Sequence, residues 1–326
     1  MSPQRCNYLS VFCSDIYRTF AGLFRMRYSG KVLNHMKRFA ALWVLGCLLG
    51  SLPAYCWWQT GHRTVARIAA AHLTPAARTR VARILDVPDR PGAVADALAI
   101  ASVWADQIKG ETRTGSWHYI DLALQDRKAD IAERCPYDNC APARIRIFAA
   151  QLASNAPGNQ WSELDALRYL VHFVGDIHQP LHTISDADLG GNCEELAEPI
   201  EEARNLHALW DGGIVREVNA DDRALADDLN KDIDDWSSFR RYRVTRGDQD
   251  DWVWESHLLA EKDIYQRLHI PVEPVEFPRG CGEAPEAITE FKPPIDALYI
   301  DDMMPVVRLQ LEKGGLRLAR LLNDRF

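Results

Sequence analysis

At its centre the chain carries the stretch Ser162-Glu-Leu-Asp-Ala-Leu-Arg-Tyr-Leu-Val-His-Phe-Val-Gly-Asp-Ile-His-Gln-Pro-Leu-His182. Ser162 and Asp165 resemble a capping box with Asp in place of Glu or Gln, which predicts the start of a helix, and Pro180 predicts its end. Apolar residues at 167, 170, 171 and 174 recur at helical spacing. His172 and Asp176 are four residues apart, so one face of this helix presents both side chains to a single ion.

Helical patterns also cover most of the chain on both sides of this stretch. Thr74-Pro75 is a typical helix start, and Gly110 predicts a helix end. The sequence predicts further helices at about 74–85, 94–109, 142–154, 201–216, 221–235, 251–268 and 295–323. No segment alternates convincingly as a strand would, and residues 281–294 are Pro-rich and predict a loop. The pattern favours one all-α domain over residues 57–326.

Composition places the chain among ordinary soluble globular proteins. It has 326 residues, 47% of them hydrophobic and 26% charged. The first 56 residues hold seven of the 38 Lys and Arg and one of the 46 acids, so the remainder has 31 basic and 45 acidic residues, net −14. This charge excludes a strongly basic protein that coats nucleic acid, but it does not exclude an enzyme that cuts nucleic acid at a metal centre.

The N-terminus has the pattern of a secretory signal. Lys37-Arg38 precedes an apolar run at 39–52, and small residues, Ala54 and Cys56, lie three and one before the expected cut. The run is too short for a comfortable membrane span, although an anchor and a lipoprotein signal ending at Cys47 remain alternatives. We expect residues 1–56 to be removed by a cut between Cys56 and Trp57, with Met36 as a candidate true start. The mature chain is then secreted or periplasmic.

Four cysteines follow the expected cut, an even number for an oxidising compartment. We expect disulfides Cys135–Cys140 and Cys193–Cys281. The alternative for Cys135 and Cys140 is half of a zinc site, although no second pair of cysteines has a matching spacing.

The histidines and aspartates form a set with ligand-like spacing. His207 and Asp211 repeat the four-residue separation of His172 and Asp176. Imidazole and carboxylate without thiolate favour zinc or a similar divalent ion. The candidates exceed the ligands of one tetrahedral site, which indicates two or more ions. They are His62, Asp106, His118, His172, Asp176, His182, His207 and Asp211.

Six motifs, in the same order, resemble the trinuclear-zinc, single-strand-preferring nucleases of the S1/P1 family, and the overall pattern is similar to a secreted, bacterial-type member. The resemblance covers essentially all residues after 56. The motifs are Trp57-Trp-Gln-Thr-Gly-His62, Trp104-Ala-Asp106, Trp117-His-Tyr-Ile-Asp121, His172-Phe-Val-Gly-Asp176-Ile-His-Gln-Pro-Leu-His182, Gly190-Gly-Asn192 and Asn205-Leu-His207-Ala-Leu-Trp-Asp211.

The resemblance implies an all-α fold, related to that of zinc phospholipase C, with three Zn²⁺ in a cleft and a mature N-terminus at Trp57. Asp176 is implied to bridge two of the ions. The implied ligand sets are Asp106, His118, His172 and Asp176 for one zinc; the Trp57 terminus, His62 and Asp176 for a second; and His182, His207 and Asp211 for the third.

The resemblance also implies the reaction. Zinc ions lower the pKa of a water towards neutrality, and the resulting hydroxide attacks phosphorus, leaving 5′-phosphate products from single-stranded DNA and RNA; 3′-nucleotidase activity is expected too. Asp106, Asp176 and Lys109 are the implied catalytic residues. The implied substrate contacts are Lys109 with phosphate, Tyr119 and Asp121 with a base, and Asn192 near phosphate.

Blander interpretations stay open for several of these residues. Lys109 also fits a solvated lysine at a helix end, Tyr119 a core aromatic, and Asn192 a turn residue. We expect His178 to support packing or the ligands without binding metal, and we expect His72, His257 and His269 to lie at the surface or at helix ends.

The sequence also departs from the family pattern and leaves competing functions. Trp58 stands where many members have Gly. Two interpretations are open for the acidic stretch 193–204, an acidic lining of the cleft that repels polynucleotides or a solvated loop, and we favour the loop. A zinc phospholipase C is the main alternative function, and a secreted zinc-holding protein without activity is another. We expect a monomer without a stable protein partner.

Overall fold

The computed structural model describes residues 59–153, 161–272 and 277–326. The predictions for the signal cut, Trp57 and Trp58 lie outside these residues. The described chain is all-α apart from one two-stranded sheet, as expected. None of its described helices combines the length and the apolar composition that a membrane span requires.

The described α-helices follow the chain from its N-terminal side to Arg325. They are α1 Gln59–Ala71, α2 Pro75–Leu85, α3 Pro91–Ala101, α4 Trp104–Thr112, α5 Ala141–Ala153, α6 Glu163–Asp176, α7 Leu206–Ala208, α8 Ile214–Val218, α9 Asp222–Asp234, α10 Ser238–Thr245, α11 Gln249–Ala260, α12 Glu286–Thr289 and α13 Ala297–Arg325. Wider π-helical turns, Leu209–Gly213 and Glu261–Gln266, join α7 to α8 and extend α11. Single 3-10 turns lie at Gly115–His118, Lys128–Ala132, Pro136–Asp138, Pro180–Thr183 and Cys281–Glu283.

Two helix starts predicted from sequence are confirmed by their capping bonds. The Thr74 hydroxyl accepts a hydrogen bond from the Ala77 amide at 3.2 Å, and the Ser162 hydroxyl accepts one from the Asp165 amide at 3.0 Å. Each bond satisfies an amide that has no partner within its helix, so these caps fix where α2 and α6 begin.

The helix predicted at 94–109 is wrong as a single element. α3 ends at Ala101 and α4 begins at Trp104, and the Ser102 carbonyl between them accepts a hydrogen bond from the His172 ring. Gly110 does not end the second helix, which continues to Thr112 and closes on Arg113 in the left-handed conformation. The sequence favoured one continuous helix, but the structure interrupts it where the Ser102 carbonyl bonds to a side chain of α6.

The helix predicted at 201–216 is also wrong in its first part. β1 Glu195–Ile200 pairs antiparallel with β2 Ala203–Asn205, and the turn between them places Glu201 at a positive φ. The helical part begins only at Leu206, where the Asn205 side chain accepts a bond from the Ala208 amide. Helices α1 and α10 were not predicted, and α12 lies in the expected loop.

The core forms where α1 packs between α3 and α13 and against α6. The contact between α1 and α13 is close because Gly314 and Gly315 have no side chains. A Cβ on Gly315 would lie 2.4 Å from the Ile68 Cγ2 atom and 3.2 Å from the Val65 carbonyl oxygen. These glycines therefore set the distance between the two helices.

Side chains from α11 and α13 hold the turn that follows α6. The Ser256 hydroxyl donates to the Ile177 carbonyl at 2.7 Å, and the Gln310 amide donates to the His178 carbonyl at 2.9 Å. The Arg317 guanidinium donates to the His178 Nε2 atom at 2.9 Å. These buried bonds fix the backbone immediately after Asp176.

Both expected disulfides, Cys135–Cys140 and Cys193–Cys281, are present. The half zinc site considered for Cys135 and Cys140 is thereby excluded. Structural disulfides are characteristic of oxidising compartments, so these bonds fit an exported protein.

Replacing Gly315 by Ala is expected to lower the free energy of unfolding by about 1–3 kcal/mol, because the added methyl overpacks the contact with Ile68. Denaturant unfolding measures this change. Gly92→Ala is the control, since a Cβ at Gly92 has no atom within 4 Å. Equal unfolding free energies for the two variants would show that the helices can separate without cost.

Candidate metal centre

Eight side chains predicted from sequence as ligands converge in the structure. They form three groups, in each of which the candidate ligand atoms lie within 4.8 Å of one another. His172 belongs to two groups and so joins them. The groups are His62, His172 and Asp176; Asp106, His118 and His172; and His182, His207 and Asp211. Trp57, the ninth predicted ligand, lies outside the described residues.

The Asp176 carboxylate lies at the centre of this arrangement and is fully buried. Its Oδ2 atom is 3.1 Å from the His118 Nδ1 atom and 3.3 Å from the His172 Nε2 atom. Its Oδ1 atom is 3.4 Å from both the His62 Nε2 atom and the His182 Nδ1 atom. The last residue of α6 thus faces four imidazoles that come from four different elements.

Backbone carbonyls set the ring orientation of the histidines. The His172 Nδ1 atom lies 2.6 Å from the Ser102 carbonyl, and the His207 Nδ1 atom lies 2.7 Å from the Gly190 carbonyl. A carbonyl only accepts, so each Nδ1 must carry the proton and donate it. The Nε2 lone pair of each ring is then turned into its group, as metal-binding histidines require.

The third group is fixed in the same way. The His182 Nε2 atom is 3.2 Å from the Asp211 Oδ1 atom, and the His207 Nε2 atom is 3.3 Å from the Asp211 Oδ2 atom. The Gln179 amide donates to Asp211 Oδ1 at 2.6 Å. Sequence reasoning missed Gln179, although its position inside the central motif was a usable signal.

The donor set fits divalent cations. The His172 Nε2 lone pair meets the Asp106 and Asp176 carboxylates at 3.6 and 3.3 Å, so electron-pair acceptors face one another with no proton between them. Among the described residues, neither oxygen of Asp176 has a hydrogen-bond partner of good geometry. Such an arrangement of buried acceptors is favourable only with positive charge among them.

Electrostatics keep the group in its metal-binding protonation states. Burial lowers the pKa of His172 to about 3, so this ring is neutral at neutral pH. Burial alone would raise the pKa of Asp176, but His172 and the other imidazoles hold that pKa well below its usual range. The centre therefore offers a neutral imidazole beside an ionised carboxylate.

Gly175 allows His62 to reach this centre. A Cβ at Gly175 would lie 2.6 Å from the His62 Nδ1 atom. The His62 ring is stacked on the His172 ring, with 3.9 Å between ring centroids, so it cannot move towards His172 to make space for a Cβ at Gly175. The glycine one residue before Asp176 is thus required by the close approach of α1 to α6.

The four predicted substrate residues differ in their contacts and in their burial. The Lys109 ammonium lies 3.0 Å from the Asp106 Oδ1 atom, so it is not a freely solvated lysine. Tyr119 is 40% exposed, which excludes the core-aromatic interpretation. Burial raises the pKa of Asp121 to about 6. The Asn192 amide donates to the Leu189 carbonyl at 2.7 Å and so stabilises its own turn.

Two further histidines differ in how well they were predicted. His178 lies outside the three groups, and its Nδ1 atom donates to the Val174 carbonyl at 2.6 Å while its Nε2 atom accepts from Arg317. His257 lies in the last turn of α11, as the helix-end expectation has it, but it is not at the surface: the ring is fully buried and its Nδ1 atom donates to the Thr183 carbonyl at 3.1 Å.

The solvated loop expected at 193–204 is a hairpin whose first acid points inward. Glu194 is fully buried, as are Asp186 and Asp188, and neither of its carboxyl oxygens has a hydrogen-bond partner of good geometry among the described residues. Burial, together with the charge of Asp188, raises the pKa of Glu194 to about 10. The other acids of the hairpin, such as Glu198, are exposed as expected.

Because the folded chain keeps the Glu194 proton and the unfolded chain releases it near its ordinary value of 4.5, the folded state binds more protons between about pH 5 and 10. This group therefore makes the free energy of unfolding fall as pH rises, by up to about 1.4 kcal/mol per pH unit. Glu194→Gln is expected to flatten that dependence, measured by denaturant unfolding across the interval. Glu198→Gln in the same hairpin is the control, and equal slopes in the two variants would contradict the assignment.

Comparison with known proteins identifies the family. The family model described as S1/P1 Nuclease matches residues 57–326. Endonuclease 2 of Arabidopsis thaliana is 29% identical over 83% of this chain and 90% of that protein. Nuclease P1 of Penicillium citrinum is 24% identical over 82% of this chain and 97% of that protein. Nuclease S1 of Aspergillus oryzae is 31% identical over 50% of this chain and 56% of that protein. The chain therefore belongs to the S1/P1 nuclease family, whose members are metal-dependent hydrolases of phosphodiester bonds.

Proposed function

We propose that this chain is an exported, zinc-dependent endonuclease that cleaves single-stranded DNA and RNA and leaves 5′-phosphate ends. It also removes phosphate from 3′-nucleotides. The observation that carries the proposal is the convergence of three His and Asp groups around one buried carboxylate, Asp176, in a chain of the S1/P1 nuclease family.

The described residues divide into ligand sets for three Zn²⁺. When bound, the ions would activate a water and neutralise phosphate charge. Imidazole and carboxylate oxygen without thiolate suit zinc. The proposed sets are Asp106, His118, His172 and Asp176; the Trp57 amino terminus, His62 and Asp176; and His182, His207 and Asp211.

Lys109 and Asp106 are proposed to act together at the phosphate. The ammonium, 3.0 Å from Asp106 Oδ1, is held by that carboxylate at the edge of the centre. From this position Lys109 donates a hydrogen bond to a nonbridging phosphate oxygen, where negative charge grows in the transition state. Asp106 thus both holds a cation and orients Lys109.

Tyr119 and Asp121 are proposed to bind one base. The exposed Tyr119 ring offers a stacking face that only an unpaired base can cover, which gives the single-strand preference. Asp121, whose pKa is raised to about 6 by burial, hydrogen-bonds the edge of that base. Asn192 contacts the adjacent phosphate.

Export is part of the proposal because the Trp57 amino group is one of the ligands. Removal of residues 1–56 between Cys56 and Trp57 creates that amino group, and residues 57–326 form the single mature domain, a monomer. The two disulfides support folding in an oxidising compartment, secreted or periplasmic.

The protein exported through its own signal is expected to begin at Trp57 and to contain three zinc ions by elemental analysis. It is expected to cleave single-stranded DNA and RNA to 5′-phosphate ends and to release phosphate from 3′-adenosine monophosphate. Chelation and Asp176→Asn are both expected to abolish cleavage, because Asp176 joins two of the ligand sets.

Other results would reject parts of this function. Cleavage of phosphatidylcholine with no cleavage of nucleic acid by the zinc-loaded protein would favour the phospholipase alternative. Products with 3′-phosphate ends would reject the proposed direction of cleavage, and full activity after chelation would reject the metal mechanism.

Lys109→Ala is expected to lower kcat for a dinucleotide about 100-fold, as loss of one transition-state donor does, with metal content unchanged. Lys262→Ala, at an exposed lysine that pairs with Asp263, is the control. Steady-state kinetics together with elemental analysis test this role. Loss of a zinc ion from the Lys109 variant would instead assign Lys109 to holding Asp106 in place.

A further inference from the structure

Helix α10 carries a local charge opposite to that of the chain. Residues 237–247 read Ser-Ser-Phe-Arg-Arg-Tyr-Arg-Val-Thr-Arg-Gly, with four arginines and no acid. The chain as a whole has a net charge of −8. A segment this basic on an acidic protein attracts polyanions that the rest of the surface repels.

The aromatic side chains of α10 project into solvent. Phe239 is 68% exposed and Tyr242 is 65% exposed. They are three residues apart, so they are neighbours on the helix surface, about 5–6 Å apart at Cβ. Two exposed rings at this spacing offer stacking faces to two unpaired bases.

Two arginines alternate with these rings and keep their charge available. The Arg240 guanidinium lies 3.9 Å from the Trp236 ring centroid, and the Arg243 guanidinium lies 5.9 Å from that of Phe239. Both arginines are exposed, and neither forms an ion pair with any residue that the structure describes. Arg241 differs, since it pairs with Asp234 at 3.4 Å.

A pocket of about 250 Å³ opens beside the same helix. Its wall includes Phe239, Arg240 and Arg243, and α13 contributes Lys313 and Arg317. The lining therefore has four cations. The carboxylate in the lining, Glu255, forms ion pairs with both Lys313 and Arg317. Four cations against one anion leave a net positive pocket at the edge of the exposed rings.

The pocket is connected to the metal centre through Arg317. Its guanidinium lines the pocket and also donates to the His178 Nε2 atom, two residues after Asp176. Arg317 is almost completely buried, so the pocket and the turn after α6 share one fixed side chain.

We propose that Phe239, Arg240, Tyr242 and Arg243, the α10 basic surface, form a second binding site for single-stranded polynucleotide, outside the metal centre. The exposed rings stack on bases and the two arginines, with the pocket, bind the backbone phosphates. The identity of the polyanion rests on the proposed function. The site offsets the repulsion of the acidic chain and retains a long substrate while the metal centre cleaves it.

Two double variants test the site, Arg240→Ala with Arg243→Ala, and Phe239→Ala with Tyr242→Ala. Each is expected to raise KM for a single strand of about 20 nucleotides about tenfold, in line with the energy of base stacking and phosphate contacts. The value of kcat/KM for a dinucleotide is expected to stay within about twofold, because so short a substrate occupies only the metal centre. The control is Arg83→Ala with Arg90→Ala, which removes two exposed arginines of α2 and its flank.

Binding measured without turnover separates this site from catalysis. Fluorescence anisotropy of the zinc-loaded protein with a labelled phosphorothioate strand is expected to show the same tenfold loss of affinity. For the arginine variant, the slope of log Kd against log salt is expected to decrease by about 1.4, since two phosphate contacts are lost.

Unchanged KM, Kd and salt slope in both double variants, relative to the control, would overturn the proposal. Loss of binding to phosphatidylglycerol vesicles with retained affinity for the strand would also overturn it, because α10 would then be a lipid contact. If the unaltered protein fails to cleave the dinucleotide, the proposed function fails, and the anisotropy titration still decides whether α10 binds single strands.

Discussion

The buried charge of Asp176 is the constraint on which the rest of the site depends. An ionised carboxylate without solvent is costly, and no hydrogen bond of good geometry from a described residue offsets the cost. Four imidazoles surround it, and cations among them would complete the compensation. Because the ligands come from separate elements, the folded state must bring those elements together at one point. The bonds from Ser256 and Gln310 to the turn after α6 hold that point rigid.

Local sequence patterns predicted those features of the metal centre that lie within a single helix. The Ser162 cap and the spacing of His172 and Asp176 are readable because a helix has a fixed period. The two pairs of His and Asp at that spacing identified half of the eight described ligands, and the structure brings every described member of the set together. The resemblance added the order of the motifs. Spacing alone could not assign individual ligands to individual ions.

Features set by long-range contacts were not predictable in this way. The interruption between α3 and α4 lies at Ser102, whose carbonyl accepts a hydrogen bond from the ring of His172, 70 residues away in sequence. Glu194 and His257 have polar side chains that favour the surface, but packing against distant residues buries both. The hairpin at 195–205 was mistaken for a helix because its strands are short and do not alternate. At Ser102, Glu194 and His257, tertiary contacts overrode the local propensity.

The distribution of charge links the fold to the substrate. Ligand carboxylates must be ionised to bind cations, so the centre itself adds acidity to a chain that is already acidic. Bound divalent ions reverse that sign only close to the phosphate that is cleaved, since screening limits their reach to about 8–10 Å. A polynucleotide extends well beyond this distance and meets the acidic surface unless another cationic region holds it. Helix α10 carries three arginines and no acid, and a fourth arginine follows at position 246. With its solvent-exposed rings, this segment has the charge and the stacking faces that the proposed second site requires.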